Sequence, residues 1–384
     1  MKHIIQTLKK ETVLCVAALL AVLSMFFIPP DAVYGGYLDY RVLALLFCLM
    51  TIMQGFQRTG LFAALGNRLL RRVSTTRQLT LVLVLLCFFT SMWITNDVAL
   101  LTFVPFTILI LKIAGLKKHL IPILCLQTIA ANLGSMLTPV GNPQNLYLYS
   151  ISKMSLMQFL EIMAPLSGIS LVVIVILCLL QKQESVEIRQ DWQIGQNRKE
   201  QSGRNTGLEN GILAVLFACS LLSVFRILPW QILLALTLLV CVGISLLCKE
   251  VYLPLRADFG LMLTFVAFFV FIGNMGRMEA VRELLVKVLQ GRELLLSFTC
   301  SQVISNVPAA ILLSGFTDQY EALLQGVNIG GLGTLIASLA SLISYKFFAA
   351  EATEKGEKGR YLLIFTAWNV LLATILLAFT NIKI

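Results

Sequence analysis

The chain has 384 residues, 58% of them hydrophobic and 13% charged, with a formal net charge of +10. The apolar residues come in long blocks, which excludes an ordinary soluble domain and places most of the chain in lipid. Two histidines, His3 and His119, leave nothing for a histidine-based metal or catalytic centre, and no Walker A pattern is present to serve a P-loop ATPase. The nine cysteines are scattered through apolar stretches without a CxxC pair and read as small hydrophobes. The basic residues sit in short loops beside apolar blocks, where membrane orientation accounts for them and no nucleic-acid partner is needed.

A bilayer core about 30 Å thick needs roughly 20 apolar residues per helix. Thr12 to Ile28 is the first such block. It follows Lys2, Lys9 and Lys10 as a signal peptide would, but no small-residue cleavage site comes after it, so it reads as the first span. Pro29 to Asp39 carries no Lys or Arg, and Tyr40 to Gln57 forms the second span. Arg58, Arg68, Arg71, Arg72 and Arg77 then crowd one loop, which marks it as cytoplasmic. From Leu79 to Leu111 the chain is apolar except at Thr95-Asn96-Asp97, giving two arms of about 16 and 14 residues, the second too short to span comfortably. This pair reads as a re-entrant hairpin turning near the bilayer midplane.

A broken span over 119–150 follows, because Pro139 and Pro143 remove backbone donors and Gly141 permits unusual angles within Thr138 to Asn145. Leu156 to Leu180 is a further span, and 181–209, with Lys182, Arg189, Arg198, Lys199 and Arg204, is a cytoplasmic linker. Gly211 to Phe225, Gln231 to Cys248 and Phe259 to Asn274 are the next spans. A second hairpin occupies 293–317, with Ser305-Asn306 at its tip and Pro308 in the first turn beyond. A second broken span over 322–348 is loosened at Gly330-Gly331-Leu332-Gly333-Thr334, and Tyr361 to Phe379 closes the series. Arg277, Arg282, Lys287 and Arg292 fall on the outer side, offset by Glu279, Glu283 and Glu293, as an interfacial helix would tolerate. Arg58 to Val73 is its counterpart.

The sequence repeats itself. Asp39, Tyr40 and Arg58 align without gaps to Asp258, Phe259 and Arg277, and Thr95-Asn96-Asp97 matches Ser305-Asn306-Val307. Asn132-Leu133-Gly134 matches Asn328-Ile329-Gly330, with Thr138 against Thr334 and Tyr149 against Tyr345. About five crossings separate the two aligned aspartates, and an odd number inverts the second half, an arrangement typical of secondary transporters. The expected organisation is an N-terminal half over 1–180, the linker, and a C-terminal half over 210–384 whose repeat begins near 258. The fold class is all-α and polytopic, with two inverted repeats, about nine spans, two re-entrant hairpins and broken helices at the midplane. Thr95, Asn96 and Asp97, and Ser305 with Asn306, are expected to cap the helix starts at the tips. Asp97 is the most isolated carboxylate in the apolar regions, and burying it is costly unless a proton, a cation or strong hydrogen bonds neutralise it.

At these residues the chain resembles the ion transporter superfamily, in particular citrate-transporter-like permeases that include divalent anion:sodium symporters, arsenite permeases and a class of sodium/proton antiporters. The resemblance covers both halves and is carried by the Thr95-Asn96-Asp97 tip, the Thr138 to Asn145 break, the Ser305-Asn306 tip and Gly330 to Ser338. In the dicarboxylate symporters both tips read Ser-Asn-Thr and bind sodium and substrate carboxylates. Here Thr95 stands for the first Ser, Asp97 for the first Thr, and Val307 with Pro308 for the second Thr, departures that lean toward the arsenite and antiporter branches.

The expected function is a secondary active carrier of a small di- or tricarboxylate-like anion, coupled to Na⁺ or H⁺ by alternating access. An arsenite or antimonite efflux permease or a Na⁺/H⁺ antiporter is the alternative, with a channel or an intramembrane enzyme further off. Substrate is expected at Asn96, Thr138, Asn306 and Thr334, and the coupling ion at Thr95, Asp97, Asn142, Asn145, Ser305 and Gly330. No cofactor is expected beyond Na⁺ as coupling ion. The partners are a small anion and membrane lipid, with a homodimer left open, in the cell membrane with the N-terminus cytoplasmic and the C-terminus outside.

Overall fold

The computed structural model describes residues 12–61, 64, 65, 68, 73–185, 206–248, 258–352 and 356–383. The described residues form sixteen α-helices and no strands. The first half comprises α1 (Thr12–Phe27), α2 (Tyr40–Thr59), α3 (Thr76–Ile94), α4 (Asn96–Ile113), α5 (Leu120–Ser135), α6 (Pro143–Ser152) and α7 (Leu156–Leu179). The second comprises α8 (Thr206–Val224), α9 (Trp230–Cys248), α10 (Phe259–Arg277), α11 (Glu279–Leu289), α12 (Glu293–Ile304), α13 (Asn306–Ser314), α14 (Tyr320–Ile329), α15 (Leu339–Glu351) and α16 (Glu357–Lys383). Seven of these helices, α2, α3, α4, α7, α8, α10 and α16, contain stretches long and apolar enough to cross a bilayer. The protein is an all-α polytopic membrane protein.

The arms of the first hairpin are longer than the sequence suggests, at 19 and 18 residues, so their length does not prevent crossing. The extra turn of α3 forms because the Thr75 hydroxyl accepts from the Gln78 N–H, and the backbone of Glu184 exchanges hydrogen bonds with Thr76. At its far end α4 runs on through Lys112, whose ammonium meets Glu351 at 2.6 Å. In the second hairpin α12 has 12 residues and α13 only nine, lengths of about 18 and 14 Å at ~1.5 Å per residue. Neither crosses a 30 Å core alone.

The start of the linker is tied to the same end of the molecule as the loop after α4. Lys118 meets the Glu184 carboxylate at 2.7 Å and holds it below the usual carboxylate range, with His119 at 3.4 Å adding to the effect. The remainder of the linker, from 186 to 205, lies outside the described residues, as does most of the stretch Arg58 to Val73. Its counterpart α11 is an amphipathic helix that leaves Leu284, Val286 and Val288 exposed and buries Leu289.

Matching positions of the two halves do matching work. Asp39 caps α2 by accepting from the Val42 N–H, and Asp258 caps α10 by accepting from the Leu261 N–H. Helices pack closely where the sequence supplies glycine. A Cβ on Gly134 of α5 would lie 2.1 Å from the Phe88 carbonyl oxygen of α3, and one on Gly330, at the end of α14, 2.6 Å from the Ser301 hydroxyl of α12. Gly134→Ala is therefore expected to cost about 1–3 kcal/mol by overpacking against backbone that cannot turn aside. A lowered melting temperature in detergent is the readout.

The helices sort into two groups by what they touch. α1, α2, α8, α9 and α10 pack among themselves, α1 on α10 and α8 and α9 on α2. The paired helices α3–α4 and α12–α13 pack with α5, α6, α7, α14, α15 and α16. Between the groups the substantial contacts are α10 with α13, and α2 with α4 and α6. Side chains reinforce this seam: Tyr147 of α6 packs edge-on against Phe265 and obliquely against Phe269, both on α10. Arg226, in the turn after α8, donates to the carbonyls of Tyr149, Ser150 and Lys153 at the end of α6.

Candidate functional site

Each helix pair joins at one residue that is not helical. Thr95, between α3 and α4, has φ 68° and ψ 149°, and Ser305, between α12 and α13, has φ 75° and ψ 155°. This region of backbone space favours glycine and costs roughly 1–3 kcal/mol for other residues. Two matching outliers in two hairpins mark the tips as strained. Thr95→Gly is expected to stabilise the protein by about 1 kcal/mol, because a β-branched side chain is the poorest occupant of that conformation. A raised melting temperature in detergent checks this.

The strained turn changes how the tips are capped. Neither Thr95 nor Ser305 caps the following helix with its side chain, contrary to expectation. With φ positive their side chains point away from the first N–H groups. The cap instead comes from the first helical residue: Asn96 Oδ1 accepts from the Asp97 N–H at 3.0 Å, and Asn306 Oδ1 accepts from the Val307 N–H at 2.9 Å. The two asparagine N–H groups reach across to the breaks, Asn96 to the Gly141 carbonyl at 3.2 Å and Asn306 to the Ala337 carbonyl at 3.0 Å.

The breaks hold the tips in turn. The Thr138 hydroxyl donates to the Met92 carbonyl, and the Thr334 hydroxyl to the Gln302 carbonyl at 3.1 Å, in each case three residues before the tip. Gln302 completes the second break, accepting from the Thr334 N–H and donating to the carbonyls of Gly330 and Leu332 at 2.9 Å each. Gly141 is needed at the first break, where a Cβ would lie 2.0 Å from the Ser135 carbonyl oxygen.

Two asparagines then lock one half to the other by a reciprocal exchange. Asn132 of α5 accepts from the Ser338 hydroxyl at 3.0 Å, at the end of the second break, and donates to the Ser341 hydroxyl at 3.1 Å, in the first turn of α15. Asn328 of α14 accepts from the Asn142 amide at 3.3 Å and donates to the Asn145 amide oxygen at 2.7 Å, both in the first break. Asn132 also accepts from the Asn96 amide at 3.0 Å, which fixes the first tip to this knot. Asn145 in addition donates to the carbonyls of Ser135, Met136 and Thr138.

Where these parts meet there is a small cavity. Asn96 and Asp97 begin α4, Asn306 and Val307 begin α13, Pro143 and Gln144 begin α6, Ser338 and Leu339 begin α15, and Leu261 of α10 completes the lining. Four helix N-termini thus converge on one place, each the positive end of a helix dipole equivalent to about half a unit charge. Among the described residues no Lys, Arg or His lines the cavity, and Asp97 is its one acidic side chain. The enclosed space, about 10 Å³, is that of a single water-sized sphere. A wider cleft of about 580 Å³ lies between α2, α6, α9 and α10, with Asp39, Arg41 and Tyr147 on its walls. Tyr147 stands one helical turn beyond Gln144, and its hydroxyl meets that of Ser314 at 2.8 Å.

Of the residues named from the sequence, Asn96, Asp97 and Asn306 line the cavity together. Thr138 and Thr334 stand behind the tips as carbonyl caps, and Thr334 is exposed. Asn142, Asn145 and Ser305 are buried and spend their groups inside the protein. The Gly330 carbonyl is taken by Gln302. The sequence reading assigned no site role to Asn132, Asn328, Gln144, Gln302, Ser338 or Ser341. The signal for the first two was present, as identical asparagines at matching positions of two apolar helices.

The family model described as "Citrate transporter" matches residues 4–323. The chain is 30% identical over 347 residues to the inner membrane protein YbiR of Escherichia coli, covering 89% of each protein. It is 28% identical over 351 residues to the uncharacterized transporter MJ0456 of Methanocaldococcus jannaschii, covering 90% of each. Over 171 residues, 44% of this chain and 35% of the other, it is 32% identical to the silicon efflux transporter LSI3 of rice.

Proposed function

The chain belongs to the citrate transporter family, and from that premise we propose that it is a secondary active carrier of a small anion, coupled to H⁺ or Na⁺ at Asp97. That it is a multi-pass membrane transporter and not an enzyme follows from the family and its relatives. The observation that carries the solute assignment is the meeting of four helix N-termini on one cavity. Such a place attracts negative charge without any basic side chain.

Asp97 makes the coupling obligatory in this reading. An ionised carboxylate and an anionic solute cannot share a cavity of this size in a low-dielectric surrounding, since the repulsion at contact distance exceeds what the helix dipoles return. A proton or a sodium ion on Asp97 removes the conflict, so solute and cation enter together. The two helix pairs act as re-entrant hairpins from opposite faces, and the group bearing them moves against α1, α2, α8, α9 and α10. The sparse seam between the two groups supports such a motion. In this reading the N-terminus is cytoplasmic and the C-terminus outside, the orientation that the Lys and Arg of the first-half loops and the linker favour.

A second reading is favoured by one feature of the same cavity. Its small volume and lack of a basic side chain suit a neutral hydroxylated solute exchanged for protons, and the partial likeness to a silicon efflux transporter points the same way.

Proteoliposomes separate these readings. Citrate or succinate is expected to accumulate above its outside concentration when an inward Na⁺ or H⁺ gradient is imposed, and accumulation should vanish when an ionophore collapses that gradient. Arsenite or silicic acid moving against an opposing proton gradient, with no carboxylate uptake, selects the second reading. Solute flux indifferent to every cation gradient would refute a coupled carrier of either kind.

A further inference from the structure

We propose that Gln144, Asp97 and Asn306 form a subsite that reads a hydroxyl group of the solute, so that the carrier prefers a hydroxylated oxyacid to its deoxy analogue. The inference deepens the carrier reading above and rests on it.

The observation behind it is where unspent hydrogen-bonding groups lie. Gln144 is 2% exposed, yet its carboxamide has no hydrogen-bond partner among the described residues. Asn306 is 5% exposed, and while its oxygen accepts from Val307 and Ser305, its Nδ2 donates to no described residue. Among the described residues the Asp97 carboxylate receives no hydrogen bond and makes no ion pair. The neighbouring buried amides of Asn132, Asn142, Asn145 and Asn328 all use both ends within the protein. A polar group shut off from water without a partner costs about 1–3 kcal/mol, so three groups whose unspent atoms open on one small cavity favour a ligand that supplies their partners.

Their chemistry selects the ligand group. Gln144 and Asn306 present amide N–H donors, and Asp97 and the Gln144 oxygen present acceptors. A carboxylate oxygen accepts only, and would leave the Gln144 oxygen and the carbonyl oxygen of a protonated Asp97 without a donor. An ammonium group donates only, and would leave both amide donors unmatched. A hydroxyl does both, donating to Asp97 and accepting from Asn306 or Gln144. The cavity's single water-sized volume fits one hydroxyl oxygen, with the rest of the solute beyond it. A site built to bond a hydroxyl discriminates strongly against the analogue that lacks it, because its own groups are then left unpaired.

Charge-matched pairs test this in proteoliposomes: malate against succinate, and citrate against tricarballylate. The protein is expected to favour the hydroxylated member of each pair by at least about tenfold in kcat/KM. Gln144→Leu should shrink that ratio to within about threefold, since it removes both a donor and an acceptor. Gln127→Leu, a change at a buried glutamine of α5 away from the cavity, should leave the ratio alone. Equal handling of both members by the unaltered protein, or an unchanged ratio in a folded Gln144→Leu, overturns the proposal. If no carboxylate is carried, the anion reading fails by itself. The subsite is then judged by the melting temperature of the purified protein with boric or silicic acid. A rise that Gln144→Leu abolishes upholds the subsite, and no rise with either acid overturns it.

Discussion

Asp97→Asn is expected to reduce the accumulation ratio of the transported solute to about one, while leaving the protein folded. The amide keeps the shape and the start of α4, but it can neither take a proton nor neutralise a cation. Coupling needs a group whose charge changes or is matched during the cycle, and Asp97 is the one carboxylate lining the cavity. Its removal also takes away the cost of holding a partly buried charge, so the melting temperature should stay level or rise. Uptake against a gradient, followed with imposed Na⁺ and H⁺ gradients in separate arms, measures the effect. Full gradient-driven accumulation by Asp97→Asn would remove Asp97 from the mechanism, whatever the solute.

Asn132→Leu is expected to have the largest effect on stability, about 2–4 kcal/mol. The substitution leaves the Asn96 amide, the hydroxyls of Ser338 and Ser341, and the Gly331 carbonyl without their partner in one step. Asn328→Leu should cost less, because Asn328 grips the opposite break but no tip. Thermal unfolding in detergent ranks the two. A double cycle with Asn96→Ala adds a sharper check, since residues in one network couple by about 0.5–3 kcal/mol and distant ones add. Additive losses for Asn132 and Asn96 would show that the tip and the knot are energetically separate.

Legibility differed from element to element for physical reasons. The long apolar helices were plain, because lipid demands a run of about 20 apolar residues and the sequence shows each run directly. The breaks at 136–142 and 330–338 were readable because proline and glycine act on the local backbone. The tips were located by polar residues inside apolar runs, but not their conformation. Thr95 and Ser305 adopt a left-handed backbone for which neither residue has any preference, and only the surrounding hydrogen bonds hold them there. The arms of the first hairpin came out too short, because the extra turn of α3 depends on Glu184, over a hundred residues away.

By itself the sequence determined the class of the protein, its apolar helices, the paired tips and breaks, and the prominence of Asn96, Asp97 and Asn306, since each of these follows from hydropathy or from backbone chemistry within a few residues. Only the tertiary structure decided that Asn132 and Asn328 lock the halves by reciprocal exchange, that four helix starts meet on one cavity, and that Gln144 stands there with its amide unspent. Those facts depend on which groups find partners across the fold, and a buried glutamine with a partner reads the same in sequence as one without.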